Sequence, residues 1–198
     1  MRPATKALMA VLTATQLAAC SRTVHWEEEV PLNTGETIVV KRRGTYNFES
    51  ESGNPLKFGY SPHWQSTIEF SYKGKRYTHV SDAGLVLLAI ASDGTPNLVA
   101  TAAQFGWGDR NKYSCDRPYY VQFRPDSAGA HWTWPEKIDY WLYGLSTNLV
   151  FGLPPLTSTG KRFTAADRDL RNASLLVVGE HYRHIDPNYE YQNCMRRR

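Results

Sequence analysis

Thr67-Ile68-Glu69-Phe70-Ser71-Tyr72-Lys73-Gly74-Lys75-Arg76-Tyr77-Thr78-His79-Val80 sets apolar against polar side chains on either side of Lys73-Gly74. A period of two places Ile68, Phe70 and Tyr72 on one face, and the glycine supplies the backbone freedom of a tight turn. The stretch predicts a β-hairpin with one buried face. Downstream, Leu85 to Ala91 is continuously apolar, Asp93-Gly94-Thr95-Pro96 is turn material, and Asn97 to Ala102 returns. This reads as a second, more deeply buried hairpin, although a helix also fits so short an apolar run. Tyr119 to Phe123 predicts a further strand.

Upstream, Val24 to Val30 alternates in part, Pro31 to Gly35 interrupts, and the β-branched Thr37 to Arg42 suits a short strand. Ser50 to Ser61, rich in Ser, Gly, Asn and Pro, predicts a loop. Helices are expected in two places. Behind Pro135, Ile138, Trp141, Leu142 and Leu145 recur at helical spacing. Thr164-Ala165-Ala166-Asp167 opens a short polar helix ending near Arg171, with a capped start. Ala173 to Gly179 then predicts an apolar strand. The expected fold class is α+β or mainly β, with antiparallel hairpins in one domain and one or two short helices.

The N-terminal segment is of another kind. Arg2 and Lys6 precede a weakly apolar run from Ala7 to Leu17, and Leu17-Ala18-Ala19-Cys20 ends it in small residues and a cysteine. A charged start, an apolar middle and small residues at a cut site are the parts of an export signal. The run is too short and too interrupted, by Thr13, Thr15 and Gln16, for a span of about 20 apolar residues. The segment resembles the lipobox of bacterial lipoproteins. The resemblance implies removal of residues 1–19, acyl chains such as palmitate on the Cys20 sulfur, and stable attachment to membrane lipid with no segment crossing the bilayer. Ser21, in place of an aspartate, resembles lipoproteins sorted to the outer membrane. The chain is similar to small uncharacterised lipoproteins of the bacterial cell envelope, and residues 20–198 are expected to form a single globular domain with a basic C-terminal tail.

Charge and cysteine usage bear on partners. Without Arg2 and Lys6, 21 basic residues face 19 acidic ones, and Arg196, Arg197 and Arg198 sit together at the end. The body is near neutral and lacks the concentrated basic face that nucleic acid requires. With Cys20 acylated, Cys115 and Cys194 remain as a disulfide candidate in an oxidising compartment, or as two unpaired thiols.

Candidate ligand-binding residues are Trp107, Asp109, Trp132 and Trp134. Trp132 and Trp134 are two apart, so extended backbone would put them on one face, and with Trp107 and Tyr113 they could stack on sugar rings or a peptide. Filling the core is the competing use of such rings. Phe105-Gly106-Trp107-Gly108-Asp109-Arg110 is a glycine-punctuated loop ending in an acid and a base. His181 and His184 would share a helix face but turn apart on a strand, so no metal is expected. Glu27-Glu28-Glu29 reads as a solvated edge, because neighbours on a strand point opposite ways. Ser114 lacks a nucleophile elbow and no phosphate-cradling glycine motif occurs, so no cofactor is expected. Asn172-Ala173-Ser174 matches a glycosylation acceptor by chance. The expected function is a non-catalytic binding or interaction module holding an envelope protein or a glycan. The alternatives are an envelope hydrolase using Asp109 with a histidine such as His131, or a structural accessory subunit of an envelope assembly.

Overall fold

The computed structural model describes residues 21–51, 54–101, 120–129, 131–135, 137–175 and 183–187. The order of elements is β1 (Ser21–Pro31), β2 (Thr37–Glu51), β3 (Asn54–Tyr72), β4 (Lys75–Ser81), β5 (Gly84–Ile90), β6 (Pro96–Thr101), β7 (Tyr120–Pro125), β8 (Trp132–Thr133), β9 (Lys161–Phe163) and α1 (Ala165–Leu175). One sheet runs β4-β3-β2-β1-β9 and the other β5-β6-β7-β8. Antiparallel hairpins dominate, and the mainly-β expectation holds. The β3–β4 hairpin pairs Phe70 with Tyr77 and Tyr72 with Lys75, turning at Lys73-Gly74 with both residues at positive φ.

Alternation explains how the sheets stack. Val30, Val40, Ile68, Phe70 and Tyr77 of the five-stranded sheet join Leu85, Leu88, Leu98, Ala100, Val121 and Phe123 of the other in one buried cluster. The second face of β5–β7 is also covered: Val86, Leu87, Ala89, Val99 and Tyr120 pack with Ile138, Leu142, Phe151 and Ile185. A strand buried on both faces has no reason to alternate, which is why Leu85 to Ala91 is apolar throughout.

The free edge of β5 is closed by side-chain amides. Asn148 Nδ2 donates to Leu88 O and to Pro31 O, and its Oδ1 accepts from Leu88 N at 2.8 Å. Asn33 does the same for both backbone groups of Ile90, at 2.8 Å each. Two amides thus stand in for a neighbouring strand and satisfy groups that would otherwise invite edge pairing.

Three expectations are corrected. Ser50 to Ser61 is not a loop: β2 and β3 continue through it as an antiparallel arm, with Phe48 opposite Tyr60 and Ser50 opposite Phe58 beyond a bulge after Gly44. The cross-strand ladder satisfies the backbone there and overrides the turn-rich composition. The helix behind Pro135 is a single 3-10 turn, Tyr140–Leu142, flanked by extended Asp139 and Tyr143. Extended Tyr143 ends it, Gly144 follows at φ 80°, and Gln122 grips Asp139, accepting from its N–H and donating to its carboxylate. The strand expected from Ala173 is the end of α1, with residues 176–179 outside the described residues. The capped start of that helix is as expected. Thr164 Oγ1 accepts from Asp167 N, and Asp167 accepts from Thr164 N and its hydroxyl, which hold the Asp167 carboxyl below its ordinary range.

The acidic run also differs from its reading. Glu27 and Glu29 face solvent near Arg162, but Glu28 lies on the inner face and is 1% exposed. Its Oε1 accepts from Trp26 Nε1 at 2.6 Å and from Arg42 Nη1 at 3.0 Å, and its Oε2 accepts from Val150 N at 2.8 Å. Arg42 is 3% exposed, lies over the Trp26 ring at 5.1 Å and donates to Val150 O. Burial lowers the Arg42 pKa and the Glu28 carboxylate opposes the shift. Removing one member of such a pair leaves the other charge buried. Arg42→Met should therefore cost about 3–5 kcal/mol in chemical denaturation, as should Glu28→Leu. The double variant should lose clearly less than the two single losses added together; additivity within about 0.5 kcal/mol would show that the two side chains are not coupled.

Candidate functional site

The outward face of the five-stranded sheet follows from the same alternation. Where Trp26, Arg42 and Ile68 point in, His25, Glu27, Lys41, Arg43, Thr67 and Glu69 point out. Register puts Glu69 opposite Lys41, Lys41 opposite Glu27 and Glu27 opposite Arg162, so charge alternates across β3, β2, β1 and β9. The Arg162–Glu27 pair closes at 3.0 Å, with both side chains exposed. Arg43 Nη2 lies 3.5 Å from Thr67 Oγ1. Between these rows and the edge residues Gly160 and Lys161 lies a shallow groove of about 350 Å³. Its charged lining is Lys41, Arg43 and Lys161 against Glu27 and Glu69, with His25 beside them. Such a surface suits hydrogen bonds and ion pairs with a polar ligand.

A second depression, about 520 Å³, lies at the turn end of the sheets among Asn33, Tyr72, Lys73, Ile90, Gly94 and Trp141. Asn33 is spent on the Ile90 backbone, and the Trp141 indole N–H donates to Asp139 at 3.1 Å. With these polar groups already bonded inside the fold, the outer-face groove is the stronger candidate.

Of the expected tryptophan platform, Trp132 and Trp134 fall among the described residues. Trp132 is half-buried against the Tyr77 and His79 rings, 6.4 and 5.0 Å between centroids, and its indole N–H donates to Thr78 O at 2.7 Å. It pins β8 to β4 across the two sheets. Trp134 is 49% exposed. Trp107, Asp109, Tyr113 and Ser114 lie outside the described residues, as do Cys20, Cys115, Cys194, His181 and the arginine tail. His131 is exposed, and its carbonyl accepts from Asp126 N. The His184 backbone bridges to Ser146. Among the described residues no three His, Cys, Asp or Glu side chains gather as metal ligands. Asn172 is 8% exposed, and its amide is used inside the fold: Oδ1 accepts from Phe151 N and Nδ2 donates to Leu149 O.

Sequence reasoning missed the groove because its residues come from distant strands. The outward set His25, Glu27 and Glu29 was readable from the period of two, but its meeting with Lys41 and Glu69 depends on strand order.

No protein-family model, no curated protein and no solved structure matches this chain.

Trp132 and Trp134 should therefore separate in a stability test. Trp132→Ala should cost about 2–3 kcal/mol, less than the 3–5 of a fully buried ring. Trp134→Ala should stay within about 0.5 kcal/mol, as an exposed position does. Equal effects in urea unfolding would contradict this division of roles.

Proposed function

We propose that this chain is a lipid-anchored bacterial envelope protein whose β-domain is a non-catalytic binding module, and that its groove on the outer sheet face receives a polar partner, a protein surface or a glycan. The anchor rests on Leu17-Ala18-Ala19-Cys20 behind a basic, weakly apolar segment. The binding role rests on one observation: charges of both signs are presented side by side on successive strands around a 350 Å³ groove. Adjacent strands lie about 4.8 Å apart, so each strand adds a charged contact at that interval. The five-stranded sheet holds them on a rigid frame, which lowers the ordering cost of binding.

Proximity crosslinking in intact cells, with identification of neighbours by mass spectrometry, tests both parts. Cys20→Ser should move the protein out of the membrane fraction. Lys41→Glu with Arg43→Glu should leave it at the membrane and remove at least one crosslinked neighbour. Retention of Cys20→Ser in the membrane fraction contradicts the anchor. An unchanged set of neighbours in the double-charge variant contradicts the groove.

A further inference from the structure

The β2–β3 arm carries large side chains that the core does not use. Phe48, Leu56 and Phe58 are 46%, 89% and 59% exposed. The Phe48 ring stacks on Phe58 at 5.8 Å and packs against Tyr60 at 5.3 Å, forming a short aromatic ladder on one face of the arm. The Arg22 guanidinium lies 4.5 Å over the Tyr60 ring. The opposite face is polar, with Glu49 paired to Gly59. A two-stranded arm with one aromatic face and no covering layer among the described residues exposes apolar area that folding alone does not require.

Its position identifies the occupant. β1 begins at Ser21, which pairs with Asn47, and Arg22 pairs with Tyr46. Ser21 is bonded to Cys20, so an acyl group on Cys20 emerges within about one residue of the Phe48 row. From the Phe48–Tyr60 pair the arm continues past Ser50 and Phe58 towards residues 51–54. Three residues of strand extend about 10 Å. That matches the roughly 5–10 Å to which amphipathic elements enter the headgroup and acyl boundary. A cation stacked on an aromatic ring, as Arg22 is on Tyr60, suits the same boundary, where the ring meets acyl chains and the charge meets phosphate.

We propose that the exposed rings of the arm, Phe48 and Phe58, with exposed Leu56 beyond them along β3, dock into the surface of the lipid bilayer that holds Cys20. This inference rests on the anchor reading. The lipid and the arm then form two contacts close together, which fixes the orientation of the domain on the membrane. The groove lies further along the same strands, toward the end remote from the arm, where it faces the aqueous side.

The test uses the mature lipidated chain in vesicles of phosphatidylethanolamine and phosphatidylglycerol containing a lipid with a diazirine in its acyl chain. Illumination and peptide mapping should place lipid adducts on the stretch from Phe48 to Tyr60. Leu56→Ser with Phe58→Ser should lower those adducts at least about tenfold, since each apolar side chain withdrawn from lipid by itself predicts roughly that much, with no change in the acylated Cys20 peptide. An arm free of adducts on a chain whose Cys20 is acylated overturns the proposal and leaves the anchor standing. Arm-to-arm or arm-to-protein crosslinks in place of lipid adducts overturn it in favour of a second copy or a protein partner. A bare Cys20 with adducts on the arm overturns the anchor and supports contact of the arm with lipid.

Discussion

A carboxylate and a guanidinium, both withdrawn from water, hold the two backbone groups of one residue: Glu28 takes the Val150 N–H and Arg42 donates to the Val150 carbonyl. The stretch from Asn148 to Pro154 forms no strand, so its backbone groups need partners from elsewhere. The Val86 carbonyl takes the N–H groups of Asn148 and Leu149, and side chains supply further partners. Asn172 serves Leu149 and Phe151, Arg168 donates to Asn148 O, Arg171 to Leu153 O, and the Tyr46 hydroxyl to Pro154 O. This explains the polar face of α1, whose Arg168, Arg171 and Asn172 dock on backbone. The same stretch delivers Phe151 to the core over β5 and Asn148 to its edge. If the buried pair were lost, both would lose their seat.

The buried pair is not fully satisfied. Arg42 Nε has no hydrogen-bond partner among the described residues. Buried ion pairs often contribute little net stability compared with apolar residues of the same shape. What this pair contributes is position: a unique arrangement of β1, β2 and residues 148–154 in which both carboxylate oxygens of Glu28 are hydrogen-bonded. The outer face of the same strands is thereby left to the groove, because inward Trp26, Glu28, Val40 and Arg42 dictate outward His25, Glu27, Lys41 and Arg43. Core and candidate site are two readings of one alternation.

The hairpins were legible because their evidence is local: a period of two, a glycine at the turn, and a continuous apolar run where both faces are covered. Glu28 was legible in part. Val24, Trp26, Glu28 and Val30 share one parity, and so do Val40, Arg42, Gly44 and Tyr46, which already sets a glutamate and an arginine on inner faces. Their pairing needed the register of two strands and a third segment more than a hundred residues away. The arm was illegible for a different reason. Ser, Gly, Asn and Pro carry the local signature of a loop, and only cross-strand pairing and the Phe48, Phe58 and Tyr60 contacts make it strand. The helix behind Pro135 failed because Asp139 and Tyr143 are both extended, which confines the turn to Tyr140–Leu142, while Gln122 holds the Asp139 backbone and carboxylate from outside.

Native-state hydrogen exchange at the Val150 amide tests the central claim most directly. The amide belongs to no strand, yet its bond to Glu28 is buried within the fold. The account predicts that it exchanges only with global unfolding, at the same free energy as the amide of Leu98 in the core strand β6. Exchange at Val150 through a local opening, well below that global value, would show that the Glu28–Arg42 pair does not hold this segment.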